Sequence, residues 1–481
     1  MSVFLSMLLI INLLLTLYVV FVEHRNYAST WAWIMVMNFI PILGFILYLF
    51  VGHNIRKKKM FHKKEQEDTY LYMLHRQSHQ LKDPCCCFLQ CCLLGDAVRV
   101  LKLHLLGHQV LYTTQNNVQL FSKGVDKFEA LFHEIQSAKS RIHIEYYIIR
   151  DDTLGNQFKA LLIQKAQEGV DIKLLYDGMG CIHTSKRYFQ ELREGGVQVE
   201  CFYPPLIAYI NFRVNYRNHR KLCIIDDNKA FIGGFNIGDE YLGKHPKFGE
   251  WRDTHLLITG EAARLMDLQF LLDWSFATKT SFPLDHLMHL EPLVCHPHSC
   301  TPIQIVSSGP DSKYPTIEHG YIQLITTAKR SIQLQTPYFV PNEPLLTALK
   351  LAALSGIDVS IMIPNKPDHL FVYWATYSYI GEILACGAKC YLYQPGFLHA
   401  KTLVIDECVA SVGTANFDIR SFKVNFEINA FVYHPTVATQ LSKLFYEDLA
   451  HCVQLTEDLY SKRSLAIRFK EALGRLLSPL L

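Results

Sequence analysis

One pattern of reactive side chains occurs twice in this chain with identical spacing, and it constrains the fold more than any other feature of the sequence. Each copy has a histidine, a lysine two positions later, an aspartate, a glycine and an asparagine. An imidazole, an ammonium and a carboxamide are groups that suit a phosphodiester. Because one copy is half a site, we expect a fold in which both copies meet around one phosphorus atom. The first copy is His219, Lys221, Asp226, Gly233 and Asn236, and the second is His399, Lys401, Asp406, Gly413 and Asn416.

The segments that precede the two copies also repeat in the same order. Three positions recur 187 to 191 residues later: an alanine and two glycines, each of which precedes a strand-like run. Each glycine is typical of a helix stop followed by a buried strand. Helices that alternate with short apolar strands indicate a duplicated α/β unit, in which each half is a layered sheet covered by helices. The matching positions are Ala138, Gly169 and Gly196 in the first half and Ala328, Gly356 and Gly387 in the second.

Each copy of the pattern is predicted to lie on a β-hairpin, because an apolar run follows the lysine, a turn follows the run, and a second apolar run returns to the glycine. Histidine and lysine are two positions apart, so on extended backbone they project from one face. Asp226 and Asp406 are candidate catalytic residues as members of the pattern. Their place at the turns favours local hydrogen bonds that fix the loop, with direct participation as the alternative. The four runs are 222–225, 230–232, 402–405 and 408–412.

The other members of the pattern suit the binding of phosphoryl oxygens. Glycine lets the backbone approach closely, a carboxamide or hydroxyl donates a hydrogen bond, and an ammonium neutralises charge. One imidazole can then act as the nucleophile while the other moves protons, and no metal ion or other cofactor is required. The candidate phosphate-binding residues are Gly233, Asn236, Gly413, Thr414 and Asn416, beside the catalytic candidates Lys221 and Lys401.

Asp253 and Glu427 occupy matching positions after the two copies. Each is expected to open a strand, at 253–258 and at 427–432. A carboxylate beside an imidazole orients the ring, as it does in a catalytic triad. These two residues are therefore candidates to orient the histidines.

The N-terminal region is predicted to be a membrane anchor. Half of the 481 residues are hydrophobic, and the excess lies near the N-terminus. Ser2–Val22 and Trp31–Val51 carry no charge, and each is long enough to cross a bilayer as a helix, with 23–30 as the connection. Basic residues at 56–64 place the C-terminal part in the cytoplasm, and a cleaved signal peptide is the alternative for the first run. The net charge of +3 gives no argument for a nucleic-acid partner.

Together with their flanks, the two copies resemble the doubled signature of the phospholipase D superfamily. The stretches 249–253, 335–341 and 413–422, and the ending 475–481, further resemble bacterial cardiolipin synthases. The superfamily often has serine after the motif glycine, whereas the first copy has Gly234 there. The synthases share this departure, so it indicates the subfamily.

The resemblance implies an α/β protein with two fused phospholipase D-like α/β/α sandwich domains related by a pseudo-two-fold axis, preceded by a transmembrane two-helix hairpin. It implies a multi-pass enzyme of the bacterial inner membrane with its catalytic domains in the cytoplasm. Such an enzyme transfers a phosphatidyl group between two phosphatidylglycerol molecules through a phosphohistidine, giving cardiolipin and glycerol. Hydrolytic phospholipase D, another phosphatidyltransferase, a nuclease and a non-catalytic membrane-binding protein are the alternatives. The expected ranges are 1–59 for the two helices, 60–110 for a linker, and 111–290 and 291–481 for the two domains.

Two further segments carry possible functions. The segment 295–300 contains cysteine and histidine, but their crowded spacing does not match common zinc sites, so no metal site is predicted. Near the C-terminus, apolar residues recur at helical spacing between basic ones. This helix lies either at a membrane interface or against the second half, and the sequence leaves both open. Its apolar residues are Leu465, Phe469, Leu473 and Leu476.

Overall fold

The structure, a computed structural model, describes residues 27–39, 95–203, 216–280 and 301–478, together with 10, 13, 14 and 16–18. The chain divides into two units. One comprises Met1–His62 and Pro205–Tyr216, and the other comprises Lys63–Pro204 and Arg217–Leu481. In the first unit the described residues include helix α1, Tyr27–Phe39. Both copies of the repeated pattern lie in the second unit.

The predicted membrane runs fall mostly outside the described residues. Helix α1 begins at Tyr27, inside the stretch that the sequence predicts to be the connection between the runs. Across the described ranges, no helix is both long enough and apolar enough to cross a membrane. The segment 295–300 also lies outside the described residues.

The first half of the second unit alternates strands and helices, after a short helical stretch at 95–107. Its helices are α2 Val98–Lys102, α3 Gly124–Ser137, α4 Thr153–Gln167, α5 Lys186–Glu194 and α6 Glu261–Thr278. Its strands are β1 Tyr112–Thr113, β2 Asn116–Lys123, β3 Arg141–Tyr146, β4 Asp171–Asp177, β5 Gln198–Phe202, β6 Arg217–Asn218, β7 Lys221–Ile225, β8 Lys229–Gly233 and β9 Glu250–Gly260.

The second half repeats this order and adds a C-terminal extension. Its strands are β10 Ile303–Ser308, β11 Ser331–Gln335, β12 Phe339–Val340, β13 Asp358–Pro364, β14 Lys389–Tyr393, β15 Gly396–Leu398, β16 Thr402–Ile405, β17 Val409–Gly413, β18 Phe417–Asp418, β19 Asn425–Val432 and β20 Cys452–Leu455. Its helices are α7 Thr316–Thr327, α8 Glu343–Leu354, α9 Leu370–Leu384, α10 Ile419–Lys423, α11 Pro435–Leu449, α12 Glu457–Ser461 and α13 Leu465–Leu477.

The two large sheets have the same topology, which confirms the predicted duplication of an α/β unit. Seven strands run in the order β2-β9-β8-β7-β3-β4-β5 in the first sheet and β10-β19-β17-β16-β11-β13-β14 in the second. In both sheets three neighbouring strands are parallel and the hairpin strands are antiparallel, so the sheets are mixed. Each half is therefore an α/β unit built around its own sheet.

Local signals account for much of this order. The glycines at the predicted helix stops all have positive φ, between 87° and 94°, a conformation that only glycine adopts without cost. Both predicted hairpins are confirmed, as β7–β8 and β16–β17. In each, the two central turn residues have φ between 50° and 57°, which matches the right-handed twist of the strands.

Each sheet is completed by a strand from the other half. β15 of the second half pairs in parallel with β9, and β6 of the first half pairs in parallel with β19. β1 also crosses, because it pairs with β10. The expectation that Asp253 and Glu427 are the first residues of their strands is wrong. β9 and β19 begin at Glu250 and Asn425, and their first residues are the ones that bind the exchanged strands.

The exchange makes the packing between the halves sensitive to side-chain size at Gly396. A Cβ atom there would overlap the backbone carbonyl of Glu250, its partner in β9. We expect Gly396→Ala to lower the free energy of unfolding by about 1–3 kcal/mol, because the strand must move away from β9.

The measurement is denaturant unfolding of the full chain, with Gly107→Ala as the matched control. At Gly107 the added methyl group would meet only the Leu103 side chain, at 3.5 Å. Equal stability of the two variants would contradict the pairing between β15 and β9.

Candidate active site

The exchanged strands deliver each motif histidine to the sheet of the opposite half. The backbone N–H of His219, directly after β6, donates to the carbonyl of Phe426 in β19 at 2.9 Å. The N–H of His399, directly after β15, donates to the carbonyl of Arg252 in β9 at 2.7 Å. Phe426 and Arg252 each precede a carboxylate, so each imidazole comes next to an acid of the other half.

The two imidazole–carboxylate pairs are therefore crossed between the halves. Nδ1 of His219 lies 2.9 and 3.0 Å from the two carboxylate oxygens of Glu427. Nδ1 of His399 lies 2.6 Å from Oδ2 of Asp253. Because an ionised carboxylate only accepts hydrogen bonds, Nδ1 carries the proton in each ring and Nε2 keeps its lone pair. Both rings thus present Nε2 for attack on an electrophile or for proton transfer.

Burial sets the protonation of the histidines. It lowers the pKa of His219 to about 4, and Lys221 and Lys401 lower it as well, although Glu427 opposes the shift. Burial likewise lowers the pKa of His399 to about 4, with Lys401 and Lys221 acting in the same direction and Asp253 opposing. Both imidazoles are consequently neutral at pH 7 in the free protein. The lysine of each copy lowers the pKa of the histidine of the other copy, so the two copies form one electrostatic site.

The two lysines are buried beside the histidines of their own copies. Nζ of Lys221 donates to the His219 carbonyl at 2.6 Å, and Nζ of Lys401 donates to the His399 carbonyl. Burial lowers the pKa of Lys221 to about 7 and that of Lys401 to about 8. The same charge cluster acts on Asp253. Burial alone would raise its pKa, but the positive charge of Lys401 and the contact with His399 bring it below the usual value. A bound anion would raise the pKa of both lysines and so favour their charged forms.

The side chains predicted to bind phosphate differ in whether their polar atoms already have hydrogen-bond partners. The carboxamide of Asn416 is buried, and its oxygen has no hydrogen-bond partner among the described residues. The carboxamide of Asn236 bonds with the hydroxyl of Tyr241 at 3.1 Å and with the N–H of Ile148. The Thr414 hydroxyl already donates to the Ile428 carbonyl at 3.2 Å. A phosphate would have to displace that bond to reach the Thr414 hydroxyl. The atom of Asn416 that lacks a described partner is an acceptor, so this side chain could donate to a phosphoryl oxygen only through its NH₂ group.

The motif glycines are required by the neighbouring strands. A Cβ atom at Gly233 would collide with the backbone at Thr254 and His255 in β9. One at Gly413 would collide with Ile428 and Asn429 in β19. These contacts give a packing reason for both glycines. Their predicted approach to phosphate stays a prediction.

The structure also explains why the first copy has Gly234 where the superfamily often has serine. A Cβ atom there would overlap the carboxylate of Asp253, which holds His399. In the second copy, the matching Thr414 is accommodated next to the strand that carries Glu427. The sequence showed the departure but not this cause.

The motif aspartates lie at the far ends of the hairpins. Asp226 follows Lys221 by five residues, about 16 Å along an extended strand. Its carboxylate accepts hydrogen bonds from the N–H groups of residues 139–141 and from the Ser140 hydroxyl, at 2.8 to 3.0 Å. Asp406 accepts from the N–H groups of residues 329–331 at 2.7 to 2.8 Å. These contacts favour the loop-fixing interpretation over direct participation in chemistry.

Two buried arginines support the site, and the sequence analysis missed both. Arg220, between the histidine and lysine of the first copy, donates to the Glu427 carbonyl at 3.3 Å and pairs with Asp273. Arg252, directly before Asp253, donates to the Asp253 carbonyl and pairs with Asp448 at 2.8 Å. Each guanidinium thus holds the backbone of one orienting carboxylate. Adjacency to motif residues was the only signal in the sequence.

Aromatic rings flank both imidazoles. The centroid of Tyr147 lies 4.9 Å from that of His219, and the centroid of Trp251 lies 5.1 Å from that of His399. These rings limit the rotation of the imidazoles and keep water away from them. Two buried neutral imidazoles, each oriented by a carboxylate and flanked by ammonium groups, form a site suited to transfer of a phosphodiester group through a histidine nucleophile.

Comparison with known proteins places this site in a family. The family described as "Cardiolipin synthase, PLD-like domain" matches residues 131–247 and 321–449, and "Phospholipase_D-nuclease N-terminal" matches residues 10–53. The chain is 48% identical to the major cardiolipin synthase ClsA of Bacillus subtilis, over 100% of this chain and 99% of that protein. It is 47% identical to a cardiolipin synthase of Listeria innocua, over 99% and 98%.

A solved structure supports the fold. Phosphatidylserine synthase from Haemophilus influenzae superimposes with a TM-score of 0.62 at 15% identity, and the match covers 80% of this chain and 100% of that one. The fold and the site define a phospholipase D-like enzyme of the phosphatidyltransferase class. The chain belongs to the bacterial cardiolipin synthase family within this class.

The pKa values predict the pH dependence of activity. The catalytic efficiency kcat/KM reports groups in the free enzyme. It should fall below about pH 4, where the imidazoles with pKa near 4 take up protons. It should also fall above pH 7 to 8, where Lys221 and Lys401 lose their positive charge. The measurement is the phosphatidyl-transfer rate at limiting substrate across this range.

Lys221→Arg tests the alkaline limb, because a guanidinium stays charged throughout. The limb should move to higher pH in this variant if it remains active. A wild-type profile that stays flat from pH 7 to 10 would contradict the assignment.

The crossed pairs predict the effect of neutralising each carboxylate. Asp253→Asn and Glu427→Gln keep the size of the side chain but remove the charge that favours Nδ1–H and raises the imidazole pKa. We expect kcat to fall on the order of 10²- to 10⁴-fold, and the acid limb of kcat/KM to move to lower pH.

Glu318→Gln is the matched control. Glu318 lies in α7 of the second half, and its buried carboxylate accepts a hydrogen bond from Asn342 at 2.6 Å. Its kcat should equal that of the wild type. A Glu427 or Asp253 variant with unchanged kcat and an unchanged acid limb would show that the contact does not orient the ring.

Proposed function

We propose that this protein is a cardiolipin synthase that uses two phosphatidylglycerol molecules and releases glycerol. The observation that carries the proposal is the pair of neutral imidazoles, His219 and His399, each held through Nδ1 by a carboxylate of the other half. The relatives described above bear this activity in their names. A diester-to-diester exchange conserves bond energy, so it requires no nucleotide.

The first step is a transfer to the protein. Nε2 of His219 attacks the phosphorus of one phosphatidylglycerol, so an N–P bond forms as the bond to glycerol breaks. His399 gives a proton from Nε2 to the departing glycerol oxygen. The bound anionic diester raises the pKa of a nearby imidazole, which favours a protonated His399 in the complex. The product of this step is a phosphatidyl-histidine and free glycerol.

The second step reverses these roles. Nε2 of His399, now neutral, removes the proton from the terminal glycerol hydroxyl of a second phosphatidylglycerol. The oxygen attacks the phosphorus, the N–P bond breaks, and cardiolipin forms. The site is nearly symmetric, so the same mechanism can be written with His399 as the nucleophile and His219 as the proton carrier. The histidine that carries the adduct is the nucleophile.

Ammonium and amide groups stabilise the charge on the phosphoryl oxygens throughout both steps. Lys221 and Lys401 contribute the positive charge. We propose that Asn416, whose carboxamide oxygen has no partner among the described residues, orients toward the ligand and donates through its NH₂ group, and that Asn236 does the same after exchanging its present bonds. In this scheme Asp226 and Asp406 fix loops and do not touch the reacting atoms.

A lipid substrate agrees with an anchored enzyme. We propose that the uncharged runs 2–22 and 31–51 form a transmembrane hairpin with the catalytic halves on the cytoplasmic side of the cell membrane, because basic residues follow the second run. The family match at residues 10–53 covers the same region. In this proposal each half is a separate α/β/α sandwich, with ranges near 111–290 and 291–481.

The decisive experiment is to trap the intermediate. Full-length protein in vesicles is mixed briefly with phosphatidylglycerol labelled at phosphorus, then quenched in base, where phosphohistidine survives. We expect label on His219 in the wild type and no labelled histidine in His219→Ala. In His399→Ala the label should appear on His219 more slowly, because His399 supplies the proton for the departing glycerol. Label on neither histidine would overturn the mechanism.

Product analysis tests the overall reaction. With pure phosphatidylglycerol and a chelator present, we expect cardiolipin and glycerol in equal amounts. Phosphatidic acid as the main product would instead assign the protein to the hydrolytic phospholipases. The Glu318→Gln protein serves as the folded control for both histidine variants.

A further inference from the structure

The C-terminal helix α13 packs against the second half with its polar and small side chains. Glu471 is buried and pairs with Arg463 at 2.8 Å, and the hydroxyl of Ser478 lies 3.0 Å from that of Tyr379 in α9. A Cβ atom at Gly474 would lie 2.7 Å from the backbone nitrogen of Ala375, so the two helices approach backbone to backbone. Docking on the second half, one of the two alternatives from the sequence, is thus observed.

The opposite face of α13 is apolar and exposed. Leu465, Phe469 and Leu476 are 81%, 71% and 75% exposed, and Leu473 is 41% exposed. A surface helix of a soluble domain normally buries its apolar stripe against the core. Here the stripe at positions 465, 469, 473 and 476 points away from it. Docking alone therefore does not explain the composition of this helix.

The exposed stripe continues onto the neighbouring helix. Leu370 and Phe371 at the start of α9 are also exposed. Gly474 lies next to them, because its Cβ atom would be 3.1 Å from the Phe371 carbonyl oxygen. We name these six side chains the outer patch: Leu370, Phe371, Leu465, Phe469, Leu473 and Leu476.

The outer patch adjoins the loop that leads to the active site. Asp368, two residues before Leu370, bonds with the hydroxyl of Tyr338 and contributes to the electrostatic environment of Lys401. Tyr338 and Asp368 also line a small cleft of about 10 Å³, together with Pro337. A surface placed on the outer patch would thus be close to the second-half side of the site.

Basic side chains surround the outer patch. Between residues 462 and 478 the only acidic residue is Glu471, which is buried and neutralised by Arg463. The basic side chains in this stretch are Lys462, Arg463, Arg468, Lys470 and Arg475. Lys462 pairs with Asp458 and Arg475 pairs with Glu382, so the positive charge of the border comes mainly from Arg468 and Lys470, which take part in none of the ion pairs of the described residues. An apolar stripe bordered by cations matches the interface of a bilayer, where acyl chains lie beneath anionic headgroups.

We propose that the outer patch lies in the headgroup–acyl boundary of an anionic phospholipid bilayer, so that the part of the second half next to Asp368 faces the membrane surface. The charge complementarity selects the bilayer over a second copy of this equally basic surface, because two such copies would repel each other. The inference rests on the proposed function only in taking the substrate to be a bilayer lipid. Contact between the outer patch and the membrane does not depend on the reaction that the active site catalyses.

Fluorescence quenching tests the contact directly in the full chain. Phe469→Trp is reconstituted into vesicles that contain brominated phospholipids, and Leu272→Trp is the control. We expect extra quenching for Phe469→Trp over the native tryptophan background, greater with anionic than with zwitterionic brominated lipid, and none for Leu272→Trp. Equal quenching of both variants would overturn the proposal.

Kinetics provide a second test with a matched control. Leu473→Ser/Leu476→Ser removes two side chains of the patch, and Leu272→Ser/Val125→Ser removes two exposed apolar side chains of the first half. Leu272 is 40% exposed, close to the 41% of Leu473. On long-chain phosphatidylglycerol in vesicles, the patch variant should be at least about tenfold slower, since the loss of either leucine from an apolar interface alone would have roughly that effect. On short-chain phosphatidylglycerol in detergent, both variants should match the wild type.

The two proposals fail in different ways. Extra quenching at position 469 without cardiolipin formation would contradict the proposed function and support the membrane contact of the outer patch. Cardiolipin formation without extra quenching would contradict the membrane contact alone. A patch variant that turns a dimer into a monomer in detergent, without extra quenching in the Phe469→Trp protein, would assign the surface to a second copy and overturn the membrane contact.

Discussion

Each half contributes a short strand to the sheet of the other half, β6 in one direction and β15 in the other. The rest of the site depends on this exchange. It brings His219 to Glu427 and His399 to Asp253, so neither half holds the imidazole that its own sequence supplies. A half on its own would have a histidine without its carboxylate and a carboxylate without its histidine. A single phospholipase D-like unit of this chain would therefore contain no complete imidazole–carboxylate pair.

Burial of the four central side chains converts this geometry into reactivity. Removing water lowers the pKa of both imidazoles and of both lysines, which leaves neutral nucleophiles beside ammonium groups that are close to losing their protons. The two ammonium groups are balanced by the carboxylates of Asp253 and Glu427. An anionic diester, the substrate that we propose, would raise the pKa of both lysines and so favour their charged forms.

The two halves are alike in topology but not in the details that surround the rings. The guanidinium that supports each orienting carboxylate comes from Arg220 in one case and from Arg252 in the other, and both belong to the first half. Glu427 reaches its histidine with one more methylene group than Asp253 uses, and Gly234 leaves room for Asp253 where the second copy has Thr414. These differences give the two histidines different surroundings, which is a physical basis for a division of roles.

The sequence by itself determined the duplicated α/β order, the two hairpins and the helix stops, because each follows from a local signal: apolar periodicity, a turn, or a glycine with positive φ. It also identified the pattern that carries the chemistry. The pairing of each carboxylate with its histidine, the start of β9 and β19 before their acids, and the lack of a side chain at Gly234 follow only from the folded structure. The first two depend on contacts between residues 146 and 208 positions apart, and the third on a contact with Asp253 in the neighbouring strand, and local periodicity encodes none of them.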